Sequence, residues 1–215
     1  MLKIQAFLRR VLRFSIPNLM TYIIGGQALL FVLGYAGLPV YSLFSLDRAG
    51  LFRGEIWRLV TFVFLPETGN LVNLVFSLYL YWLIGNALES RWGSNRFTAY
   101  YLFGMAGAIL AALLTGFGVN TYLNLSLFLA FAALFPDFEL MLFFIIPIKI
   151  KFLALLDAAL LLFSLFTQPW YAKAAILLSL MNLFFFLGGD LINTLRAESR
   201  YWKTRRNFRK TMWKR

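Results

Sequence analysis

Two hydroxyl groups stand where they could be put to chemical use, Thr121 and Ser126, in the run Val119-Asn120-Thr121-Tyr122-Leu123-Asn124-Leu125-Ser126. A serine or threonine becomes a nucleophile at neutral pH only beside a base, and the 215 residues contain no histidine. Lysine and aspartate are the remaining bases. Lys149 and Lys151 fall at the edge of an apolar stretch, and Lys173 heads another, nine residues from Asn182. Asp157 and Asp190 lie toward the opposite half from Thr121. The chain also lacks cysteine, which removes disulfides, thiolate ligands and cysteine nucleophiles together. Its nine Asp/Glu residues are scattered, so no metal and no cofactor is expected.

The elements that must position these groups are apolar. The chain is 61% hydrophobic and 14% charged, against about 25% charged in an ordinary soluble domain. Six apolar stretches, about 19–39, 70–88, 97–117, 119–135, 152–167 and 171–193, predict an all-α polytopic membrane protein, a six-transmembrane-helix bundle. The fourth and fifth are short, roughly 25 Å as helices against a ~30 Å hydrocarbon core. Under this scheme all but Arg48, Arg53, Arg58 and Lys173 of the 21 basic residues fall on one side. Basic flanks mark the cytoplasmic side, so both termini are expected there, in a multi-pass protein of a bacterial plasma membrane. The net charge of +12 is then mostly topology.

Residues 1–16 do not read as a secretory leader, since they lack a continuous apolar core. Ile4, Phe7, Leu8, Val11 and Leu12 recur at helical spacing between Lys3, Arg9, Arg10 and Arg13, the pattern of an amphipathic interfacial helix. Residues 17–195 are expected to form the membrane domain. Residues 196–215 form a basic tail with Tyr201, Trp202, Phe208 and Trp213 interleaved, suited to anionic lipid or, as the lesser reading, to RNA or the ribosome. The first loop, about 40–69, is long and apolar, and is expected to fold at the outer interface.

The run Gly54-Glu55-Ile56-Trp57-Arg58-Leu59-Val60-Thr61-Phe62 resembles the Trp-Arg motif in the first loop of rhomboid proteases and of their inactive derlin-type relatives. Gly85-Asn86-Ala87-Leu88-Glu89-Ser90-Arg91-Trp92-Gly93-Ser94 is similar to the end of the rhomboid second helix. Arg96-Phe97, Tyr100-Tyr101 and Gly104 follow the family's spacing, and Phe135-Pro136 with Phe143 to Lys151 resembles its connection between the fourth and fifth helices. The resemblance covers roughly 50–190. It implies structural roles for Trp57, Arg58, Gly85, Glu89, Gly93, Gly104, Pro136 and Gly189.

The resemblance also carries over the catalytic positions. Active rhomboids have Gly-x-Ser-Gly at the start of the fourth helix, and counting back from Pro136 gives Thr121, with neither flanking glycine. Counting back from Gly189 puts Asn182 at the place of the catalytic histidine, and counting back from Glu89 puts Asn73 and Ser77 at the His-x-x-x-Asn pair. Asn182 cannot accept a proton. A pseudoprotease is therefore expected, with Asn73, Ser77, Asn120, Thr121, Asn124 and Asn182 lining a cavity for a transmembrane client, or else simply bonding helix to helix.

Asp157 reads either as a substrate or proton site or as an interior carboxylate bonded to a neighbouring helix. The function expected is thus non-catalytic binding of transmembrane segments in quality control, trafficking or regulation. The alternatives are an intramembrane protease using Thr121 or Ser126 with an unusual base, and a small-solute transporter built around Asp157. No inverted repeat is visible to favour the transporter.

Overall fold

The computed structural model describes residues 15–142, 146–167, 173, 176–178 and 180–188. Most of the 1–16 segment, the 196–215 tail, Gly189 and Asp190 lie outside these residues.

Helix α1, Leu19–Tyr35, begins after Asn18 and ends as the chain turns toward Pro39. The first loop then folds into short elements: α2 (Val40–Phe44), β1 (Leu46–Asp47), α3 (Arg48–Phe52), α4 (Arg58–Thr61) and a 3-10 turn, Phe62–Phe64. Helix α5 is Leu71–Trp92 and α6 is Ser94–Thr115. Strand β2 (Phe117–Gly118) pairs antiparallel with β1, Leu46 opposite Gly118 and Asp47 opposite Phe117. Helix α7 is Thr121–Leu134, followed by the hairpin β3 (Glu139–Leu142) and β4 (Ile146–Lys149), helix α8 (Ile150–Thr167) and helix α9 (Ile176–Gly188).

The class is all-α apart from these two short ladders, but the six-transmembrane-helix expectation is not met. Among the described residues three helices are long and apolar enough to cross a membrane: α5, α6 and α8. Helix α1 has 17 residues and α7 has 14, roughly 25 Å and 21 Å at helical rise. Helix α9 is also a shorter apolar helix. The physical cause is that apolar residues counted into spans are used elsewhere. Phe117 and Gly118 pair with the first loop, Leu38 and Pro39 turn the chain out of α1, and Phe135-Pro136 ends α7. The fifth stretch errs the other way, because α8 starts at Ile150 and reaches 18 residues. The even number of crossings that placed both termini on one side rested on six spans. The β3–β4 hairpin was not anticipated either, since this stretch was expected only as the connection between the fourth and fifth helices.

The core lies where α1, α5, α6 and α7 meet, on Met20, Ile23, Leu88, Phe97, Tyr100, Leu127 and Phe131, all essentially buried. Small residues set the spacing. A Cβ on Gly85 would come within 2.5 Å of the Met20 side chain, so α1 and α5 meet along bare backbone. Gly93 closes α5 at φ +80°, with its N–H on the Glu89 carbonyl at 2.8 Å. That positive φ, which glycine adopts without strain, lets α6 start at the next residue.

Candidate functional site

The first loop is organised around one cation. Arg58, at the start of α4, is 4% exposed. Its guanidinium donates to the carbonyls of Ser42 at 2.6 Å and Ser45 at 2.7 Å, meets Asp47 Oδ1 at 2.8 Å, and bonds Glu55 through Nε. Asp47 in turn accepts the Gly50 N–H at 2.8 Å, capping α3. Arg58 and Arg53 hold the Glu55 carboxyl below its ordinary pKa, the Arg58 hydrogen bond contributing most. Trp57, half exposed, donates from Nε1 to the Leu43 carbonyl at 3.2 Å. The planar fork of arginine serves two carboxylates and two carbonyls at once, which an ammonium cannot.

The opposite ends of α5 and α6 are joined through Glu89. Its Oε1 accepts from the Asn18 N–H at 2.9 Å and from the Ser94 hydroxyl at 2.5 Å, tying the start of α1 to the α5–α6 turn. Arg96 stacks 5.3 Å from the Trp92 ring centre and donates to the Phe186 carbonyl at 2.8 Å, which brings α9 against the same turn. Pro136 is exposed in the turn that follows α7.

The residues expected to line one cavity fall into separate settings. Asn73 is exposed, and Ser77 donates its hydroxyl to the carbonyl of Asn73 at 2.7 Å, within its own helix. Thr121 is exposed at the first turn of α7. Asn120 is buried, its amide donating to the Leu65 carbonyl at 3.0 Å. Asn124 is buried, with Nδ2 on Glu67 Oε1 at 2.7 Å and Oδ1 without a hydrogen bond. Asn182, on α9, donates from Nδ2 to the Tyr100 carbonyl at 3.2 Å, and its Oδ1 is likewise buried and unbonded. Asn120 and Asn124 thus meet the end of the first loop, whereas Asn182 meets the middle of α6. No hydrogen bond joins Thr121 to Asn182 among the described residues.

Two groups that the sequence did not single out, Glu67 and Tyr81, complete this polar interior together with Tyr100 and Tyr101. Glu67 reaches Asn124 from the loop, with the Tyr81 hydroxyl beside the same pair. Tyr101 is buried within the field of Glu67, and its hydroxyl has no hydrogen bond. An acid beside Pro66, at the end of the first loop and just before α5, was the available signal. Tyr100 donates its hydroxyl to Ser126 Oγ at 3.0 Å, and Ser126 donates onward to the Leu123 carbonyl at 2.8 Å. Ser126 is therefore buried, with its proton committed to a backbone acceptor and a phenol, a donor, at its oxygen.

Asp157 lies on α8, about 10 Å along the helix from Ile150. It borders an apolar crevice of about 260 Å³ between α5, α7 and α8, lined by Phe76, Leu80, Phe128, Leu153 and Leu160. Its Oδ2 is buried and makes no hydrogen bond. Gly104, on α6, abuts Leu123 and Asn182, with the amide nitrogen 3.0 Å from where a Cβ would stand. Among the described residues no group of three or more acidic side chains could hold a metal.

Residues 53–179 match the family model described as the Rhomboid domain, a stretch that takes in Arg58, Glu89, Gly104, Thr121 and Pro136 and stops short of Asn182. No curated protein matches the chain. The match spans more than half of the sequence and includes Arg58 and Glu89, while their partners Ser42, Ser45, Asp47 and Asn18 precede it. With its long apolar helices, this integral membrane protein belongs to the rhomboid family.

Proposed function

We propose that this chain is a non-catalytic rhomboid-family protein, similar to the derlin-type pseudoproteases, that binds transmembrane segments of other membrane proteins. The observation that carries the reading is the setting of Ser126. It is the buried hydroxyl of α7, and its partners are a phenol that donates to it and a carbonyl that takes its proton. A nucleophile needs a group that accepts its proton and holds it, and the place where the resemblance puts a histidine carries the Asn182 amide. Thr121 stands exposed at a helix start, without the flanking glycines that the resemblance associates with a nucleophile. Non-covalent binding asks less of these groups: Asn73 and Thr121 are open to a partner, while Asn120, Asn124 and Asn182 hold the surrounding helices and loop.

The basic aromatic tail, 196–215, suits anchorage to anionic lipid in the same role, and RNA is the lesser alternative. The test is paired. The purified protein in liposomes is treated with a fluorophosphonate probe, and photocrosslinkers placed at positions 77, 121 and 182 are used to trap neighbours. The reading expects no probe labelling and capture of membrane-protein segments. Labelling that disappears with Ser126→Ala or Thr121→Ala, or capture of lipid alone, overturns it.

A further inference from the structure

We propose that the crevice bounded by α5, α7 and α8 receives a membrane-spanning segment that carries a lysine or arginine, which pairs with Asp157. The inference rests on the client-binding reading and names the class of client.

The walls of the crevice by themselves call for nothing. Phe76, Leu80, Phe128, Leu153 and Leu160 would be equally well served by lipid tails. Asp157 is not. Its Oδ2 is buried and unbonded, and no basic side chain of the described residues is paired with it; Lys151, on the same helix, pairs instead with Asp137 at 3.2 Å. Ionised, the carboxylate has no counter-charge among the described residues. Protonated, its O–H needs an acceptor that an apolar wall does not offer. Acids at membrane depth are rare, and they pair with other groups or line functional sites.

Charge complementarity then selects the occupant. A lone cation on a client helix carries the same burden in hydrocarbon, so one ion pair relieves both partners, whereas a neutral donor relieves only Asp157. The methylene stem of lysine or arginine also suits leucine and phenylalanine walls while its head reaches the carboxylate. The crevice, at about 260 Å³, admits a side chain of this kind from a helix lying alongside.

The experiment uses the full chain in phosphatidylcholine liposomes with a photocrosslinker at position 156. Three synthetic leucine-alanine transmembrane peptides are compared, identical except for lysine, leucine or aspartate at the matching depth. The lysine peptide is expected to bind about three- to thirtyfold more tightly than the leucine peptide. The preference should vanish with both Asp157→Asn and Asp157→Leu, whose folding is checked by thermal melting, and Asp157→Lys should prefer the aspartate peptide. Equal capture of all three peptides overturns the pairing and leaves general client binding standing. Crosslinking to lipid alone, whatever the peptide, overturns both. Crosslinking to a second copy of the chain that the peptides do not displace overturns the pairing in favour of self-association.

Discussion

The side-chain amide of Asn182 donates to the backbone carbonyl of Tyr100 at 3.2 Å, across the seam between α9 and α6. The approach is possible because Gly104, one helical turn beyond Tyr100, offers no side chain there. Asn182 thus acts as a bridge between helices at the place where the family resemblance puts a histidine. Replacing it with leucine removes the donor but also the buried, unbonded Oδ1, so less than about 1 kcal/mol of stability should be lost. Asn182→Ala loses the bond and leaves a void, and should cost about 1–2 kcal/mol. Thermal unfolding in detergent measures both, and a leucine variant less stable than the alanine variant would contradict the bridge.

Arg58 should be the most sensitive residue of the first loop. Arg58→Ala strands Asp47 and Glu55 and frees two carbonyls, and is expected to destabilise the fold by about 3 kcal/mol. Arg58→Lys should recover only part of this, because an ammonium cannot serve all four acceptors. Hydrogen exchange over residues 42–60 should rise in both variants and most in alanine. Unchanged protection in the lysine variant would mean that charge alone holds the loop.

The same clasp has a pH dependence of definite sign. The carboxyl of Glu55 is held below its ordinary value of 4.5 by Arg58 and Arg53. A group whose pKa is lowered on folding contributes stability above its unfolded pKa and loses it as pH falls through the folded one. Limited proteolysis of the loop should therefore be flat from neutral pH to about 5 and should accelerate below the ordinary carboxylate range. Glu55→Gln should be cleaved faster at neutral pH and lose part of the acid-induced rise. A profile identical to that of the parent protein would remove Glu55 from the clasp.

The glycines of α6 are predicted to differ sharply. Gly104→Ala must displace Leu123 or the Asn182 amide, at about 1–3 kcal/mol. Gly107→Ala meets nothing nearer than Leu178, at 3.8 Å, and should be close to neutral. Gly85→Ala, against Met20 at 2.5 Å, should resemble Gly104→Ala. Melting temperatures of the three variants decide the matter, and equal effects would show that helix propensity dominates over close approach.

Part of the scaffold was legible where residues act locally. Arg58 meets Glu55 three positions back and Gly93 meets Glu89 four back, whereas Asn18, the other partner of Glu89, is 71 residues away. Span lengths were not legible. Leu38, Phe117 and Val119 are as apolar as any membrane residue, and only tertiary pairing reveals that they belong to turns and a two-residue strand. The polar interior was half legible for a similar reason: Asn124 and Asn182 were visible as costly residues, but Glu67 and Tyr100 are their partners only through contacts 57 and 82 residues apart.

Asp47 holds three positions at once: it pairs with Phe117 in the β1–β2 ladder, caps α3 and meets the Arg58 guanidinium. The ladder is only two residues on each side, yet it bolts the first loop to the short link between α6 and α7. Force applied to the loop is therefore delivered to the leading turn of α7, where Asn120, Thr121 and Asn124 sit. A partner that pulled on the loop would reach α7 through this ladder and through the Asn120–Leu65 and Asn124–Glu67 bonds together, so the loop and the helix would move as one piece.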